Sequence, residues 1–209
     1  MKKMEKTIVG KPDENGIKLA VEFLKNGKVI CFKTDTIYGF SCDATNKVAC
    51  QKILNAKGRD GKPFILLAKN TEVVCSFADN ISKHAQKLME KFWPGPLSII
   101  VNSTDKFSTE VTAGNKTIAF RVPKDDLCQK ILSELDFPIT STSANISGQQ
   151  SLNNPSQIFD EFDGKIDLII DSGIATSFLP STVVNVASEN IEVLREGAIK
   201  STDILEVTE

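Results

Sequence analysis

Apolar and polar positions alternate along this chain with two different periods, and each change of period marks a predicted element. From Asp13 to Asn26 the apolar residues fall three and four positions apart, which predicts a helix with one buried face. Asn46 has the side chain of a helix N-cap and predicts the start of a second helix. Further helices are expected at 82–92 and 125–135, and short apolar runs predict strands at 28–32, 64–68, 97–101, 117–122, 137–140, 167–170, 181–186 and 191–194.

Helical and strand-like segments follow one another without an internal repeat, a low-complexity linker or a shift in composition. This order is typical of an α/β protein, and it predicts a single domain over residues 1–209, with a core at about 13–200, built on a central mixed sheet. A chain of 209 residues with 41% hydrophobic and 25% charged residues can bury a core without the help of disulfides or a metal.

Composition also excludes several classes of function. The net charge of -2 argues against a protein that mainly coats nucleic acid. The five cysteines form no C-x-x-C pair and no apolar window reaches membrane-spanning length, so we expect free thiols, a cytoplasmic location and no membrane partner. The single histidine, His84, falls inside a predicted helix, which disfavours a histidine-based triad and a zinc site. P-loop and G-x-G-x-x-G patterns are absent from the sequence.

Cations are concentrated near the ends of predicted strands, where α/β proteins carry their binding groups. Lys57, Arg59 and Lys62 lie on a loop with two glycines, and such a loop suits phosphate because cations neutralise its charge while backbone N–H groups approach it. A solvated loop is the alternative. Arg121 ends an alternating strand, where it can grip a carboxylate through two N–H groups or be an exposed strand-end cation.

Hydroxyl side chains form three further clusters. Residues 33–40 follow an apolar strand and include Gly39, residues 141–148 include Asn145, and Ser181 begins a late strand. The cluster at 141–148 resembles a clamp for a phosphate or an amino acid, and all three clusters lie at element ends, where binding groups are found. A capped turn, a flexible loop and hydroxyls that satisfy backbone groups are the respective alternatives. The prolines and glycine of Trp93–Pro96 exclude a regular element and predict a rigid corner in the wall of the site.

Seven segments, in the order in which they occur along the chain, resemble the YrdC/Sua5 family, whose members are threonylcarbamoyl-AMP synthases. The resemblance runs from about Gly27 to Ala198. The segments are Thr34–Gly39, Lys57–Arg59 with Lys62–Pro63, Trp93–Leu97, Arg121–Pro123, Ser143–Gly148, Pro180–Val183 and Arg195–Gly197. The resemblance implies the short, single-domain type: a three-layer α/β fold with an open, twisted mixed sheet of about seven strands and a large cationic site over the sheet.

The family reaction joins L-threonine to bicarbonate or CO₂, and the resulting N-carboxylate attacks the α-phosphate of ATP and releases pyrophosphate. By this resemblance Lys57 and Arg59 are the catalytic residues, because they contact the triphosphate and stabilise its developing charge. The resemblance implies nucleotide contacts from Lys57, Arg59, Lys62, Thr117, Ser143, Asn145, Ser151 and Arg195, and threonine contacts from Thr34, Arg121, Ser141 and Ser181. Mg²⁺ is expected on the ATP phosphates, with no protein metal site. The general base stays open: Asp35 is one candidate, or it caps the turn.

The resemblance also implies partners. The adenylate would pass to a downstream tRNA threonylcarbamoyl-transferase for N6-threonylcarbamoyladenosine (t6A) formation, and tRNA is a further implied partner. The alternative from another class is a non-catalytic RNA-binding paralogue of the YciO type, which predicts salt-sensitive RNA affinity without threonine dependence. The presence of Lys57 and Arg59 favours the synthase branch. A carbamoyl-phosphate-handling maturation factor is disfavoured because the chain has no cysteine pattern for metal fingers.

Overall fold

The computed structural model describes residues 6–58, 62–176 and 179–208. The helices are α1 Glu14–Lys25, α2 Lys47–Lys57, α3 Thr71–Phe77, α4 Lys83–Phe92, α5 Thr109–Thr112, α6 Asp126–Ser133, α7 Pro155–Phe162 and α8 Ser201–Thr208. The strands are β1 Ile8–Gly10, β2 Ile30–Lys33, β3 Tyr38–Ser41, β4 Ile65–Leu67, β5 Ala78–Asp79, β6 Leu97–Ser103, β7 Thr117–Arg121, β8 Ile139–Ser143, β9 Leu168–Ile170, β10 Thr182–Asn185 and β11 Glu192–Arg195.

Side-chain caps start the two helices that flank the first half of the sheet. Asp13 accepts a hydrogen bond from the backbone N–H of Gly16 at 3.0 Å and begins α1. Asn46 accepts from the N–H groups of Val48 and Ala49, both at 3.1 Å, and begins α2. Each cap satisfies backbone donors that the first helical turn leaves without partners. The N-cap predicted at Asn46 is confirmed.

The strands form one mixed sheet flanked by helices, which confirms the predicted α/β class. Their order is β1-β9-β2-β3-β8-β4-β7-β6-β10-β11, and β5 pairs with β6. The expectation of about seven strands is wrong, because the described residues form a sheet of 11 strands. The additional strands include β1, with three residues, and β5, with two, and runs that short carry no periodic apolar pattern.

The predicted loop at 141–148 begins later than expected, because β8 continues through Ser141 to Ser143. Ser143 pairs with Gly39 of β3, and Ser141 pairs with Ile65 of β4. Backbone pairing to two neighbouring strands holds these residues in the sheet although their side chains are polar. The polar side chains therefore belong to a sheet face that is not covered by the core.

Helices α1 and α6 cover only part of one sheet face. Their apolar side chains pack on Leu67 of β4 and Ile139 of β8. Alternation puts Ile65, Ser141 and Ser143 on the same face, further along these two strands. These three residues lie beyond the helices and line an open cavity. The opposite face packs against α2, α4 and α7 in the larger of the two apolar cores. None of the helices in the described part of the chain combines the length and the hydrophobicity of a membrane-spanning segment.

Candidate active site

The uncovered part of the sheet face forms a cavity of about 450 Å³, here called the site cavity. Strands β3, β4 and β8 form its floor, and loops at the ends of the strands form its walls. Its lining residues are mainly small, hydroxylic or cationic: Thr34, Thr36, Ile37, Gly39, Lys57, Lys62, Pro63, Ile65, Arg121, Ser141, Thr142, Ser143, Asn145, Ser147, Gly148, Pro180, Ser181 and Arg195. Such a cavity is suited to a polar anionic ligand.

Lys57 anchors one wall of the site cavity. It is the last residue of α2, which ends at Gly58 in the left-handed conformation with φ of 57°. The Lys57 side chain is buried, and its ammonium donates to the carbonyl oxygens of Ser143 and Asn145, the latter at 2.8 Å, and to Asn145 Oδ1 at 3.3 Å. The Ser147 N–H in turn donates to the Lys57 carbonyl at 2.8 Å. Lys57 therefore brings a positive charge to the cavity and fixes the loop after β8.

Asn145 organises this loop from within. Its Oδ1 accepts from the Ser143 hydroxyl as well as from Lys57. Its Nδ2 donates to the carbonyl oxygens of Ile146 at 2.7 Å and Gln149 at 2.9 Å. The amide is satisfied on both sides by the loop itself, so its contribution to a ligand site is the shape that it gives to the loop.

Arg121 lies at the other end of the site cavity and is only 3% exposed. Its Nε donates to the carbonyl oxygen of Gly95 at 3.0 Å, and its Nη1 donates to Thr36 Oγ1 at 3.1 Å. Its Nη2 donates to Asp35 in a close ion pair. Three of the five guanidinium N–H groups thus have acceptors, and within the described ranges the other two have none. The corner at Trp93–Pro96 contributes the Gly95 carbonyl and thereby orients the guanidinium.

Asp35 belongs to the hairpin turn between β2 and β3. Besides Arg121, it accepts from the backbone N–H of Lys124 at 3.3 Å through Oδ2. The hydroxyls of Thr34 and Thr36 lie 2.9 Å apart in the same turn, and both residues line the cavity. The cluster is therefore both an ordered turn and part of the cavity wall, which combines the two interpretations that the sequence left open.

Arg195 closes a third side of the site cavity. Its Nε and Nη2 donate to the Ser181 carbonyl at 3.1 and 2.8 Å, and Nη2 also donates to the Ser181 hydroxyl at 3.2 Å. The Ser181 hydroxyl lies 2.8 Å from Ser98 Oγ. Burial lowers the pKa of Arg195, and the positive charge of Arg121 lowers it further. The two guanidinium groups therefore lie close enough to repel each other, which favours binding of an anion between them.

The site cavity gathers most of the residues predicted from the sequence: Thr34, Lys57, Lys62, Arg121, Ser141, Ser143, Asn145, Ser181 and Arg195. Thr117, at the start of β7, and Ser151, in the loop before α7, are half-buried and are not among its lining residues. Arg59 lies outside the described residues.

Other residues of the site were missed by sequence reasoning. Ser98 lies within an apolar strand and had no signal of its own. Ile65 could have been found from strand register, because its neighbour in β8 is Ser141.

The α/β fold and the cations around the cavity are typical of proteins that bind anionic substrates. Comparison with known proteins identifies the family within this class. The Sua5/YciO/YrdC family model, whose description reads "Telomere recombination", matches residues 22–197. The chain belongs to this family. It is 33% identical over 186 residues to a threonylcarbamoyl-AMP synthase of Vibrio vulnificus, which covers 88% of this chain and 99% of the relative. It is 32% identical over 196 residues to a threonylcarbamoyl-AMP synthase of Pyrococcus abyssi, which covers 93% of this chain and 58% of the relative.

Two solved structures resemble the whole fold. P. abyssi Sua5 complexed with L-threonine has a TM-score of 0.89 and 31% identity, over 96% of this chain and 59% of that one. Escherichia coli YciO has a TM-score of 0.81 and 28% identity, over 93% of this chain and 95% of that one. The chain therefore spans little more than half the length of its P. abyssi relative and nearly all of its V. vulnificus relative.

Proposed function

We propose that this chain is an L-threonylcarbamoyladenylate synthase, a nucleotidyltransferase that converts L-threonine, bicarbonate or CO₂ and ATP into threonylcarbamoyl-AMP and pyrophosphate. One observation carries the proposal: two different cationic groups lie in a single cavity. At one end the oriented guanidinium of Arg121 lies beside hydroxyl groups, and at the other end Lys57 and the loop that it holds form a cationic wall. The first arrangement suits an amino-acid carboxylate and the second suits a polyphosphate. The names of the relatives and the L-threonine complex of the P. abyssi protein support the same reaction.

Threonine binds in this proposal at the end of the cavity that contains Arg121. The two guanidinium N–H groups without a protein acceptor donate to the carboxylate. Hydroxyls of Thr34, Ser141 and Ser181 bind the remaining polar atoms of the amino acid, and all three residues line the cavity. The buried guanidinium is held by three acceptors, so little side-chain entropy is lost when the carboxylate arrives.

The nucleotide occupies the other side of the cavity in this proposal, where Lys57, Lys62, Ser143, Asn145 and Arg195 line the wall. The Lys57 N–H groups already donate to the loop after β8, so Lys57 acts on the phosphates mainly through its charge and through the loop that it positions. Contacts from Arg59, Thr117 and Ser151 stay predictions from the family resemblance.

The reaction requires an anionic N-carboxylate to approach an anionic α-phosphate. Cations around the cavity reduce this repulsion and hold the two reactants in line, and both effects lower the barrier without a covalent intermediate on the protein. Mg²⁺ on the triphosphate is part of the proposal. The described residues contain no group of three His, Cys, Asp or Glu side chains able to hold a metal, so phosphate oxygens and water would supply most ligands of the ion.

The wider role proposed for the chain is in t6A formation. The adenylate would be consumed by a tRNA threonylcarbamoyl-transferase. Binding of tRNA, a cytoplasmic location and the single-domain organisation over residues 1–209 stay predictions from the sequence.

The direct test is to incubate the purified chain with ATP, Mg²⁺, bicarbonate and L-threonine and to follow pyrophosphate and the adenylate by mass. We expect adenylate only when threonine and bicarbonate are both present, and loss of product in Arg121→Lys, because a lysine cannot keep the three contacts of the guanidinium. If folded protein forms no adenylate under these conditions but binds RNA with strong salt dependence, the synthase proposal is wrong and the YciO-type alternative takes its place.

A further inference from the structure

The charges around the site cavity are unequally balanced. Four of its described lining residues are cationic, namely Lys57, Lys62, Arg121 and Arg195. The described lining contains no aspartate or glutamate. Asp35 reaches the cavity only through its ion pair with Arg121, and 14% of its side chain is exposed. Among the described residues Arg195 has no carboxylate within ion-pair distance, and its guanidinium donates instead to Ser181. One of the two neighbouring arginines is therefore neutralised and the other is not.

The ion pair also has a fixed geometry. Arg121 is held by the Gly95 carbonyl, the Thr36 hydroxyl and Asp35, so it cannot turn away from the carboxylate. Asp35 is itself held by the N–H of Lys124. Any ligand that binds to the remaining N–H groups of Arg121 consequently lies near the negative charge of Asp35. A net-neutral zwitterion meets little repulsion there, whereas a phosphate with two or more negative charges is repelled at short range.

We propose that Asp35 is a specificity-determining residue that divides the site cavity by charge, reserving the Arg121 end for an amino acid and excluding polyphosphate from it. This inference rests on the proposed function, since it assumes that an amino acid and a triphosphate share the cavity. Without Asp35, the paired arginines would form one continuous anion site in which pyrophosphate or ATP competes with the amino acid. The Asp35 carboxylate thus keeps polyphosphate out of the amino-acid end of the cavity and does not add to the affinity for either ligand.

Equilibrium binding to the full chain tests this division. The titrations are L-threonine alone, inorganic pyrophosphate alone, and L-threonine in saturating pyrophosphate, for the unmodified chain and for Asp35→Asn. We expect pyrophosphate to change the threonine Kd of the unmodified chain by less than about threefold. In Asp35→Asn we expect pyrophosphate to compete and to raise the apparent threonine Kd on the order of tenfold or more, the size of effect that one poorly screened charge has near a protein surface.

Two variants control for charge and for folding. Asp136→Asn removes the same charge from a fully exposed carboxylate that lies 3.7 Å from Lys69, and it is expected to behave as the unmodified chain does. Asp35→Glu keeps the charge and is expected to restore independent binding of the two ligands. If Asp35→Asn does not fold, the unmodified chain and Asp35→Glu still decide: competition in both overturns the inference, and independence in both supports it.

The inference and the proposed function fail in different ways. The division by charge is overturned if threonine and pyrophosphate still bind independently to folded Asp35→Asn, or if they compete in the unmodified chain. Neither result affects threonine binding or adenylate synthesis, so the proposed function would stand. Absence of any threonine binding to the unmodified chain overturns the proposed function together with the inference. An increase in the threonine Kd of Asp35→Asn without competition indicates a role in orienting Arg121 alone and also overturns the division.

Discussion

Replacing Lys57 with methionine removes the charge of a buried side chain while keeping most of its apolar stem. In the folded protein the ammonium donates to the carbonyl oxygens of Ser143 and Asn145 and lies 5.6 Å from the centre of the Phe40 ring. The substitution removes a donor from both carbonyls: Ser143 keeps the N–H of Asn145 at 3.0 Å, whereas the Asn145 carbonyl is left without a donor among the described residues. We therefore expect both a loss of stability and a loss of activity, and these two effects can be measured separately.

The magnitudes follow from the contacts. A buried acceptor that loses its partner costs about 1–3 kcal/mol, so Lys57→Met should lower the free energy of unfolding by about 1–3 kcal/mol. For a domain of this size that corresponds to a melting temperature lower by about 2–12 °C. Removing a charge that stabilises a developing phosphate charge should lower kcat on the order of 10²–10³-fold.

The matched control is Lys52→Met on the same helix. The Lys52 ammonium lies 2.7 Å from both carboxylate oxygens of Asp167, which also accepts from the Val29 N–H at 2.7 Å. Neither Lys52 nor Asp167 is among the residues that line the cavity. Lys52 is partly exposed, so its loss should cost about 1 kcal/mol or less and leave the rate of adenylate formation per folded molecule unchanged.

Unfolding curves in denaturant and pyrophosphate release at saturating ATP and threonine measure the two effects. The reasoning would be refuted if folded Lys57→Met kept its activity within a few-fold, because its charge would then have no part in the reaction. It would also be refuted if Lys52→Met lost as much activity as Lys57→Met, because the position of α2 rather than the ammonium of Lys57 would then be decisive.

Three further predictions concern other parts of the structure. A Cβ on Gly197 would lie 2.2 Å from the Pro180 carbonyl, so Gly197→Ala should displace the wall at Ser181 and raise the threonine Kd, as measured by calorimetry. Burial raises the pKa of Tyr38, the only tyrosine, to about 12, so stability present below pH 10 should fall as pH rises towards 12, and the phenolate absorbance of this residue should report its titration. Asp13→Ala removes the cap of α1 and should cost about 1 kcal/mol in denaturant unfolding, with unchanged adenylate formation.

Local patterns determined much of this protein. The apolar spacing between Asp13 and Asn26 and the amide side chain of Asn46 act within one or two helical turns, so the sequence predicted α1 and α2 correctly. The order of helices and strands predicted the α/β class for the same reason. Lys57 could be selected because it begins a glycine-rich loop with three cations, and Arg121 because it ends an alternating strand.

Only the tertiary structure decided which polar residues belong together. Ser141 and Ser143 were expected in a loop, yet they lie in β8 because pairing with two other strands outweighs their own preference. The ion pair of Asp35 with Arg121 joins residues 86 positions apart, and the Gly95 carbonyl completes it from a third segment. Contacts of this kind depend on strand order and register, which no local pattern encodes. The site cavity itself exists because α1 and α6 end before they cover the sheet, and where a helix stops relative to a distant strand is a property of the packed fold alone.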